Sequence, residues 1–278
     1  MVKNRLVAPF IKWVGGKRQI ISSIKVLLPK NIRQYNYVEP FVGGGAVLFD
    51  LQPKKAIISD LNSELINVYS VVKDNLEDLI IDLKKHKNDA DYFYQIRSLD
   101  RKENYAQLSE IEKASRIIYL NKTCYNGLYR VNNAGEFNAP FGRYINPNIV
   151  NEATLKAVHK YLNSIDISIM NIDYEIVLQD LDKNAFVYLD PPYHPISETS
   201  FTGYVQGGWN IYDQVRLRDA CNKLNEKGIK FLQSNSATGF ILELYKEYNI
   251  KIIKANRFIN SNGEKRGAVD EVLIQNYE

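Results

Sequence analysis

An α/β fold with a parallel sheet is predicted by three features of this 278-residue sequence. The short apolar run Ala185–Leu189 is typical of a strand that is buried on both faces. A strand, a glycine-rich turn and a helix follow one another in residues 37–48, and a second strand ends at Asp60. Strand and helix patterns alternate again from Ile165 onward. The long stretch between these two parts predicts an insertion and not a continuation of the sheet.

Composition and charge are those of an ordinary globular protein. Hydrophobic residues make up 45% of the chain and charged residues 24%, and no apolar run has the length of a membrane span or of a signal-peptide core. Two cysteines and three scattered histidines predict neither a disulfide framework nor a metal site. We therefore expect a cytoplasmic protein that needs no metal and no membrane. The net charge of +4 is compatible with nucleic-acid binding but does not indicate it.

The N-terminal part contains two candidate ligand-binding turns. Gly15-Gly16-Lys17, before a helix predicted for residues 19–28, allows close approach of a ligand and offers a lysine to a carboxylate, although a solvated turn explains this short motif as well. The turn at residues 41–45 leaves similar room, and Asp60 lies 21 positions after Glu39, a spacing at which an acid binds ribose hydroxyls. The turn has neither the G-x-G-x-x-G order nor a phosphate-loop lysine. A nucleoside cofactor without a pyrophosphate fits better than a dinucleotide.

Residues 63–150 predict a helical insertion, because 63–85 and 109–120 carry apolar residues at helical spacing. Within it, residues 113–144 hold five cations and one acid, a net charge equal to that of the whole chain. Aromatic and asparagine side chains lie among these cations, and the three kinds of group suit base stacking, base edges and phosphates. About half of the aromatic residues are expected in the core.

After the insertion, the α/β pattern continues to the C-terminus. We predict strands at 165–169, 185–189, 229–232, 250–255 and 269–277 and helices at 213–226 and 238–248. Residues 260–267 are expected to form a solvated polar turn.

Asp190-Pro191-Pro192-Tyr193 follows the buried strand, at the sheet edge where ligands of open α/β sheets bind. The prolines fix φ and remove two backbone donors, which leaves carbonyl acceptors beside a carboxylate and an aromatic ring. A flat molecule with an exocyclic amino group suits this arrangement, since the amine donates while its ring stacks on Tyr193. Taken alone, the tetrapeptide is explained equally well by an ordinary Pro-Pro turn.

Together and in this order, the blocks resemble those of Dam-type DNA adenine methyltransferases, in the group whose cofactor motif precedes the recognition domain and whose DPPY motif follows it. The matching blocks are residues 10–17, 39–45, Asp60, 125–144 and 190–193. The resemblance implies a seven-stranded, Rossmann-like methyltransferase sheet with an inserted helical target-recognition domain. The catalytic domain is then 1–62 with 151–278, and the recognition domain is 63–150. The implied reaction is methylation of the adenine 6-amino group in duplex GATC, by base flipping.

The same resemblance assigns residues to three roles. For the cofactor S-adenosylmethionine they are Trp13, Lys17, Glu39, Phe41, Gly43, Asp60 and Asp190, with Lys17 at the methionine carboxylate and Asp60 at the ribose. For catalysis they are Asp190, Pro191, Pro192 and Tyr193. For DNA they are Lys12, Tyr125, Asn126, Leu128, Arg130, Pro140 and Arg143, where Arg130 suits a guanine edge and Tyr125 a wedge into the base stack. The loop after Pro192 is shorter than in the family, which leaves contacts by Phe201 and Tyr204 open.

Other protein classes stay under consideration. Related enzymes that methylate cytosine or protein glutamine usually carry Ser or Asn in place of Asp190. A non-catalytic DNA-binding regulator is disfavoured by the intact Asp60 and Asp190, and an oxidoreductase by the missing dinucleotide loop. The expected partner is duplex DNA containing GATC, bound by a monomer. A companion restriction endonuclease, a solitary role and a phage role are all compatible with the sequence.

Overall fold

A seven-stranded sheet forms the centre of the computed structural model, which describes residues 3–13, 15–196, 208–256 and 268–278. The strand order is β3-β2-β1-β4-β5-β7-β6. Neighbouring strands are parallel except for β7, which runs antiparallel to β5 and β6. The strands are β1 Asn36–Glu39, β2 Lys55–Ser59, β3 Asp166–Met170, β4 Ala185–Leu189, β5 Lys230–Ser236, β6 Asn249–Asn256 and β7 Ala268–Gln275. The predicted α/β class and the seven-stranded sheet are confirmed.

Helices cover both faces of the sheet and fill the segment between β2 and β3. They are α1 Ile21–Leu27, α2 Ala46–Leu51, α3 Ser63–Asp74, α4 Leu76–Leu83, α5 Ala90–Arg97, α6 Glu110–Thr123, α7 Glu152–Asn163, α8 Tyr174–Gln179, α9 Ile211–Glu226 and α10 Gly239–Leu244.

Several predicted boundaries were wrong, each for a local reason. The helix predicted at 63–85 is two helices, because Asn75 leaves the helical conformation with a φ of −133°. Helices α5, α7 and α8 were not predicted, and α8 has only six residues in which to show a period. The helix predicted at 238–248 ends at Leu244. The strand predicted at 229–232 continues to Ser236, because its last residues are polar yet fully buried.

Alternate side chains of the central strands pack into two hydrophobic cores, one on each face of the sheet. Phe186 and Tyr188 lie in one core, and Val187 and Leu189 lie in the other. All five residues of β4 are buried, as the apolar run predicts for a central parallel strand. Asp190 therefore directly follows a rigid strand that is covered on both faces.

The segment between β2 and β3 contains helices and two isolated β-bridges but, over residues 60–165, no further strand of the sheet. Leu65 and Val72 of α3 share a core with Phe49 and Ile58 of the sheet layer. A separate small core joins Phe93, Tyr119 and Phe137 further along the insertion. The boundary between 62 and 63 is thus crossed by one continuous core, and the division into two domains stays a prediction.

A substitution at Gly45 tests how tightly the glycine-rich turn at residues 41–45 is packed. Its φ is +68°, and a Cβ atom there would lie 2.6 Å from Tyr69 Oη and 2.8 Å from the Phe49 ring. We expect Gly45→Ala to lower the free energy of unfolding by more than the about 1–2 kcal/mol that the left-handed backbone alone costs. Gly135→Ala is the matched control, since Gly135 has a φ of +82° and no described atom within 4 Å of its Cβ position. Equal losses in urea unfolding would contradict the tight packing.

Candidate active site

Three acidic residues meet at one edge of the sheet, because β1, β2 and β4 are adjacent parallel strands that end there. Glu39 is the last residue of β1, and Asp60 and Asp190 directly follow β2 and β4. The carboxylate of Asp190 contributes to raising the pKa values of the other two acids, which shows that their fields overlap. This edge is where open α/β sheets bind ligands.

Asp190 is held by an ion pair and a hydrogen bond. Lys17 Nζ lies 2.7 Å from Asp190 Oδ1, and Ser234 Oγ donates to the same oxygen at 2.9 Å. Lys17 is only 6% exposed, its ammonium also donates to the Gly15 carbonyl, and it lies 4.7 Å from the centre of the Tyr193 ring. Burial raises the pKa of Asp190, whereas Lys17 and Ser234 act to lower it. Lys17 thus contacts the predicted catalytic acid, a contact that its predicted cofactor role did not include.

The glycine turn after β1 is fixed from both sides. Asp60 accepts hydrogen bonds from the amides of Gly43 at 3.1 Å and Asn62 at 2.9 Å. Tyr69 Oη donates to the Gly43 carbonyl at 3.0 Å. The Trp13 indole covers the turn so closely that a Cβ at Gly43 would lie 2.9 Å from it. Burial raises the pKa of Asp60 to about 6, and the hydrogen bonds from the Asn62 and Gly43 amides act to lower it.

Glu39 and Phe41, two further predicted cofactor residues, lie deeper. Glu39 is 2% exposed and accepts a hydrogen bond from Tyr37 Oη at 2.8 Å, and burial raises its pKa to about 8. Phe41 is half-buried, with ring centres 5.1 Å from Tyr174 and 5.7 Å from Trp209. Both residues adjoin the turn, and their roles in cofactor binding stay predictions.

The remaining residues of the tetrapeptide are anchored by groups that the sequence did not single out. The Pro192 carbonyl accepts a hydrogen bond from Gln214 Nε2 at 3.0 Å, and Tyr193 Oη donates to Glu271 Oε2 at 3.1 Å. Burial, together with the charges of Asp190 and Glu271, raises the pKa of Tyr193 well above its ordinary value. No local pattern marks Gln214 or Glu271, whereas the run of polar residues 233–236 at the end of β5 marks Ser234, which bonds to Asp190.

The residues predicted to contact DNA are mostly exposed. The Tyr125 amide donates to the Pro140 carbonyl and the Gly142 amide to the Thr123 carbonyl, both at 2.8 Å, which brings residues 123–125 beside 140–142. Tyr125 is 56% exposed. Leu128 is half-buried, and the other exposed members are Lys12, Asn126, Arg130, Pro140 and Arg143.

Arg130 lies beside a short hairpin closed by the Val131–Phe137 bridge. Its Nε donates to Asn138 Oδ1 at 2.7 Å and its Nη2 to the Asn138 carbonyl at 3.2 Å. The exposed guanidinium is therefore held in one orientation. Nearby on α6, burial and the charges of Lys12 and Arg18 lower the pKa of Lys122 to about 8. The positive charges of Lys12, Arg18 and Lys122 thus act on one another, and such a group of cations suits a polyanion.

Two residues counted among the DNA-contacting chemistry are core residues instead. Asn121 is fully buried and bonds to both backbone groups of Lys12, at 2.8 and 2.7 Å, and to the Gly127 carbonyl at 3.1 Å. Arg116 is buried in an ion pair with Asp100 at 2.7 Å. Their polar groups are taken up by partners within the protein, so they connect the predicted DNA surface to the fold rather than line it.

Three predicted elements cannot be placed relative to the site, and the described residues show neither a metal cluster nor a membrane-spanning helix. Phe201, Tyr204 and the turn at 260–267 fall outside the described residues. Within the described part of the chain, no cluster of three or more His, Cys, Asp or Glu side chains has the arrangement of a metal site. None of the helices described is long and apolar enough to cross a membrane.

The sheet order and the acidic strand ends define a Rossmann-like methyltransferase fold. Residues 13–259 match the family model described as D12 class N6 adenine-specific DNA methyltransferase. The chain is 45% identical over 280 residues to the type II methyltransferase M1.LlaDCHI of Lactococcus lactis subsp. cremoris, covering 99% of this chain and 98% of that protein. It is 44% identical over 290 residues to the type II methyltransferase M.MjaIII of Methanocaldococcus jannaschii, covering 98% and 99%.

A further relative is the DNA adenine methylase of Escherichia coli K12, with 34% identity over 278 residues, covering 98% of this chain and 95% of that protein. The chain therefore belongs to the D12 class of N6 adenine-specific DNA methyltransferases. The predicted enzyme class is confirmed, and membership implies S-adenosylmethionine as cofactor and DNA as substrate.

Lys17→Met tests the ion pair. Because the ammonium lowers the pKa of Asp190 against the effect of burial, its loss should raise that pKa. Activity that needs the ionised carboxylate is lost as pH falls through this pKa, so the acid limb of the kcat profile should move to higher pH. Lys17→Arg keeps the charge and should leave the limb nearer its original position. The profiles are measured at saturating cofactor, and an unmoved limb in Lys17→Met would show that the pair does not set the ionisation.

Proposed function

We propose that this enzyme transfers a methyl group from S-adenosylmethionine to the 6-amino group of adenine in double-stranded GATC. The observation that carries the proposal is the Asp190 carboxylate, ion-paired at 2.7 Å with Lys17 beside the Tyr193 ring. It combines a fixed acceptor with an aromatic face, as a flat base with an exocyclic amine requires. The resemblance to Dam-type enzymes supports GATC as the target. Residues 63–150 then read DNA, and 1–62 with 151–278 carry out the transfer.

The residues around the glycine turn fit the cofactor. The Asp60 carboxylate accepts hydrogen bonds from two backbone amides, and its remaining acceptor capacity suits the ribose hydroxyls. Gly43 and Gly44 keep the backbone bare beside the Trp13 indole. When bound, S-adenosylmethionine supplies an electrophilic methyl group. The cation that we assign to the methionine carboxylate of the cofactor is Lys17, in the Gly15-Gly16-Lys17 turn.

Asp190 and Pro191 orient the target amine. The lone pair of an adenine amine is delocalised into the ring, so the amine is a weak nucleophile until its hydrogens are held out of the way. The Asp190 carboxylate and the Pro191 carbonyl accept hydrogen bonds from these two hydrogens and direct the lone pair at the methyl group, which makes transfer a matter of positioning and electrostatics. The methylated nitrogen then loses one of its protons, and the Asp190 carboxylate is the acceptor that we assign to it. The Pro192 carbonyl is already bonded to Gln214, which leaves Pro191 as the proline acceptor for the amine.

The adenine must leave the duplex before its amine can reach Asp190. Flipping costs a few kcal/mol, and stacking on an aromatic ring returns about 1–3 kcal/mol per base. Lys17 lies over the Tyr193 ring, at 4.7 Å from its centre. We propose that the flipped adenine stacks on the face of that ring opposite Lys17.

The exposed residues of the insertion supply target recognition. Arg130, oriented by Asn138, is the residue that we assign to a guanine edge. Tyr125, which is 56% exposed, is assigned to the gap that the flipped base leaves. The cations Lys12, Arg18 and Lys122 add attraction for phosphates.

A companion restriction endonuclease is the biological partner that we propose. The support is that two relatives with 45% and 44% identity are named type II methyltransferases. Relatives named DNA adenine methylases, such as that of Escherichia coli K12 with 34% identity, keep a solitary role as the second candidate.

The proposed reaction is tested with tritiated S-adenosylmethionine and two duplexes that differ only in carrying GATC or GTTC. We expect label on the adenine amino group of GATC alone, and none with Asp190→Ala, because that variant loses the acceptor for the amine. Label on both duplexes would keep the adenine chemistry and refute the target sequence. Turnover at the wild-type rate in Asp190→Ala would remove Asp190 from the mechanism.

Arg130→Ala tests the assignment to guanine. A bidentate arginine contributes about 1–3 kcal/mol of discrimination, so the ratio of kcat/KM between GATC and AATC should fall by about 5- to 150-fold. The rate on GATC itself should fall less than this ratio. An equal loss of kcat/KM on both duplexes would make Arg130 a phosphate contact instead.

A further inference from the structure

The last four residues of β5 are polar and lie in the interior of the protein, and three of them contact groups in and around Asp190–Tyr193. Ser234, Asn235 and Ser236 are each fully buried. Buried polar groups are costly without hydrogen-bond partners, so such a run needs a set of specific contacts. Their partners lie in and around the Asp190–Tyr193 tetrapeptide, at the end of the neighbouring strand β4.

Ser234 holds the carboxylate at the start of the tetrapeptide, and Asn235 and Ser236 hold its far end. Asn235 Oδ1 accepts a hydrogen bond from the His194 amide at 3.0 Å. Ser236 Oγ donates to the His194 carbonyl at 2.6 Å. Both backbone groups of the residue after Tyr193 are therefore bound by β5.

The other side of Tyr193 is bound through helix α9. Asn235 Nδ2 donates to Gln214 Oε1 at 3.1 Å, and Gln214 Nε2 donates to the Pro192 carbonyl at 3.0 Å. Gln214 is 1% exposed. The two side-chain amides thus form a continuous bridge, called here the amide clamp, from the residue before Tyr193 to the residue after it.

The sequence of the tetrapeptide explains why an external clamp is needed. Pro191 and Pro192 have no backbone N–H groups, so this loop has two fewer donors with which to stabilise its own conformation. The polar anchors must come from elsewhere, and the amide clamp supplies them from buried positions on two rigid elements. Functional groups are held most accurately when their supporting residues are themselves locked by packing and hydrogen bonds.

We propose that Gln214 and Asn235 are positioning residues for methyl transfer. They fix the backbone on both sides of Tyr193 and so set the plane on which the flipped adenine stacks relative to Asp190. The inference rests on the proposed function, in which Tyr193 stacks on the target base. Misplacing reacting groups by about 1 Å can cost about 100-fold in rate, so we expect the clamp to act on the rate of transfer.

The test compares two identical substitutions at buried glutamines. Gln214→Met removes the clamp while nearly conserving volume. Gln233→Met is the control. Gln233 is fully buried on β5, as Gln214 is on α9, and it likewise bonds across the contact between these two elements, accepting from Cys221 Sγ at 3.4 Å. With enzyme in excess over a GATC duplex, we expect the single-turnover rate constant of Gln214→Met to fall about 10- to 100-fold. The rate constant of Gln233→Met should change by less than about twofold. In Gln214→Met, the reaction amplitude should be unchanged, and the dissociation constant for S-adenosylmethionine should change by less than about twofold.

Equal rate constants in the two variants would overturn the proposal. A reduced amplitude with an unchanged rate constant would also overturn it, because that result means a smaller folded fraction and not a misplaced ring. If Gln214→Met does not fold, Asn235→Ala breaks the clamp at its other residue, since it removes the bonds to Gln214 and to the His194 amide, and an unchanged rate constant there overturns the proposal.

Tyr193→Ala separates this inference from the proposed function. If the single-turnover rate constant falls in Tyr193→Ala but stays at the wild-type value in Gln214→Met, the clamp alone is refuted. A wild-type rate in Tyr193→Ala refutes the stacking role on which both depend.

Discussion

The buried ion pair between Lys17 and Asp190 is the interaction on which the rest of the site depends. A carboxylate taken out of water is stable as an anion only if a cation and hydrogen bonds replace its hydration. Lys17 at 2.7 Å and Ser234 at 2.9 Å supply them, from the N-terminal segment and from β5 respectively. Three distant parts of the chain must therefore be in place before the carboxylate of Asp190, the predicted catalytic acid, takes this orientation.

Aromatic packing joins the cofactor turn to the surface assigned to DNA. Trp13 lies on Gly43 and stacks on Tyr129 with ring centres 4.8 Å apart, and Tyr129 meets Phe137 edge to face at 5.8 Å. Phe137 belongs to the hairpin that follows Arg130, and its amide donates to Asp100 at 2.7 Å. The glycines of the turn thus admit the indole that connects the turn to the insertion, in addition to the space that we propose they leave for the cofactor.

The sequence predicted those features that local pattern determines. The apolar run of β4 located Asp190, and the strand end before Asp60 located a second acid. It could not predict Asn121 as a core residue, because its partner Lys12 is 109 positions away and an asparagine among cations looks like a surface group. The polar end of β5 was missed because apolar periodicity does not detect a buried polar strand. The target GATC came from resemblance to a family, because no periodicity or spacing encodes a base sequence.

The buried polar residues that the sequence did not reveal lie next to the proposed catalytic residues for a physical reason. A purely apolar strand end at Ser234–Ser236 would be easier to bury, but it would offer nothing to hold a loop in which two prolines replace donors. The fold instead buries polar side chains and satisfies them with the Asp190 carboxylate and the backbone of His194, directly after the tetrapeptide. The rigidity of the sheet is in this way transferred to Tyr193 and Asp190, and the two groups keep a fixed mutual geometry that neither could maintain from its own neighbours in sequence.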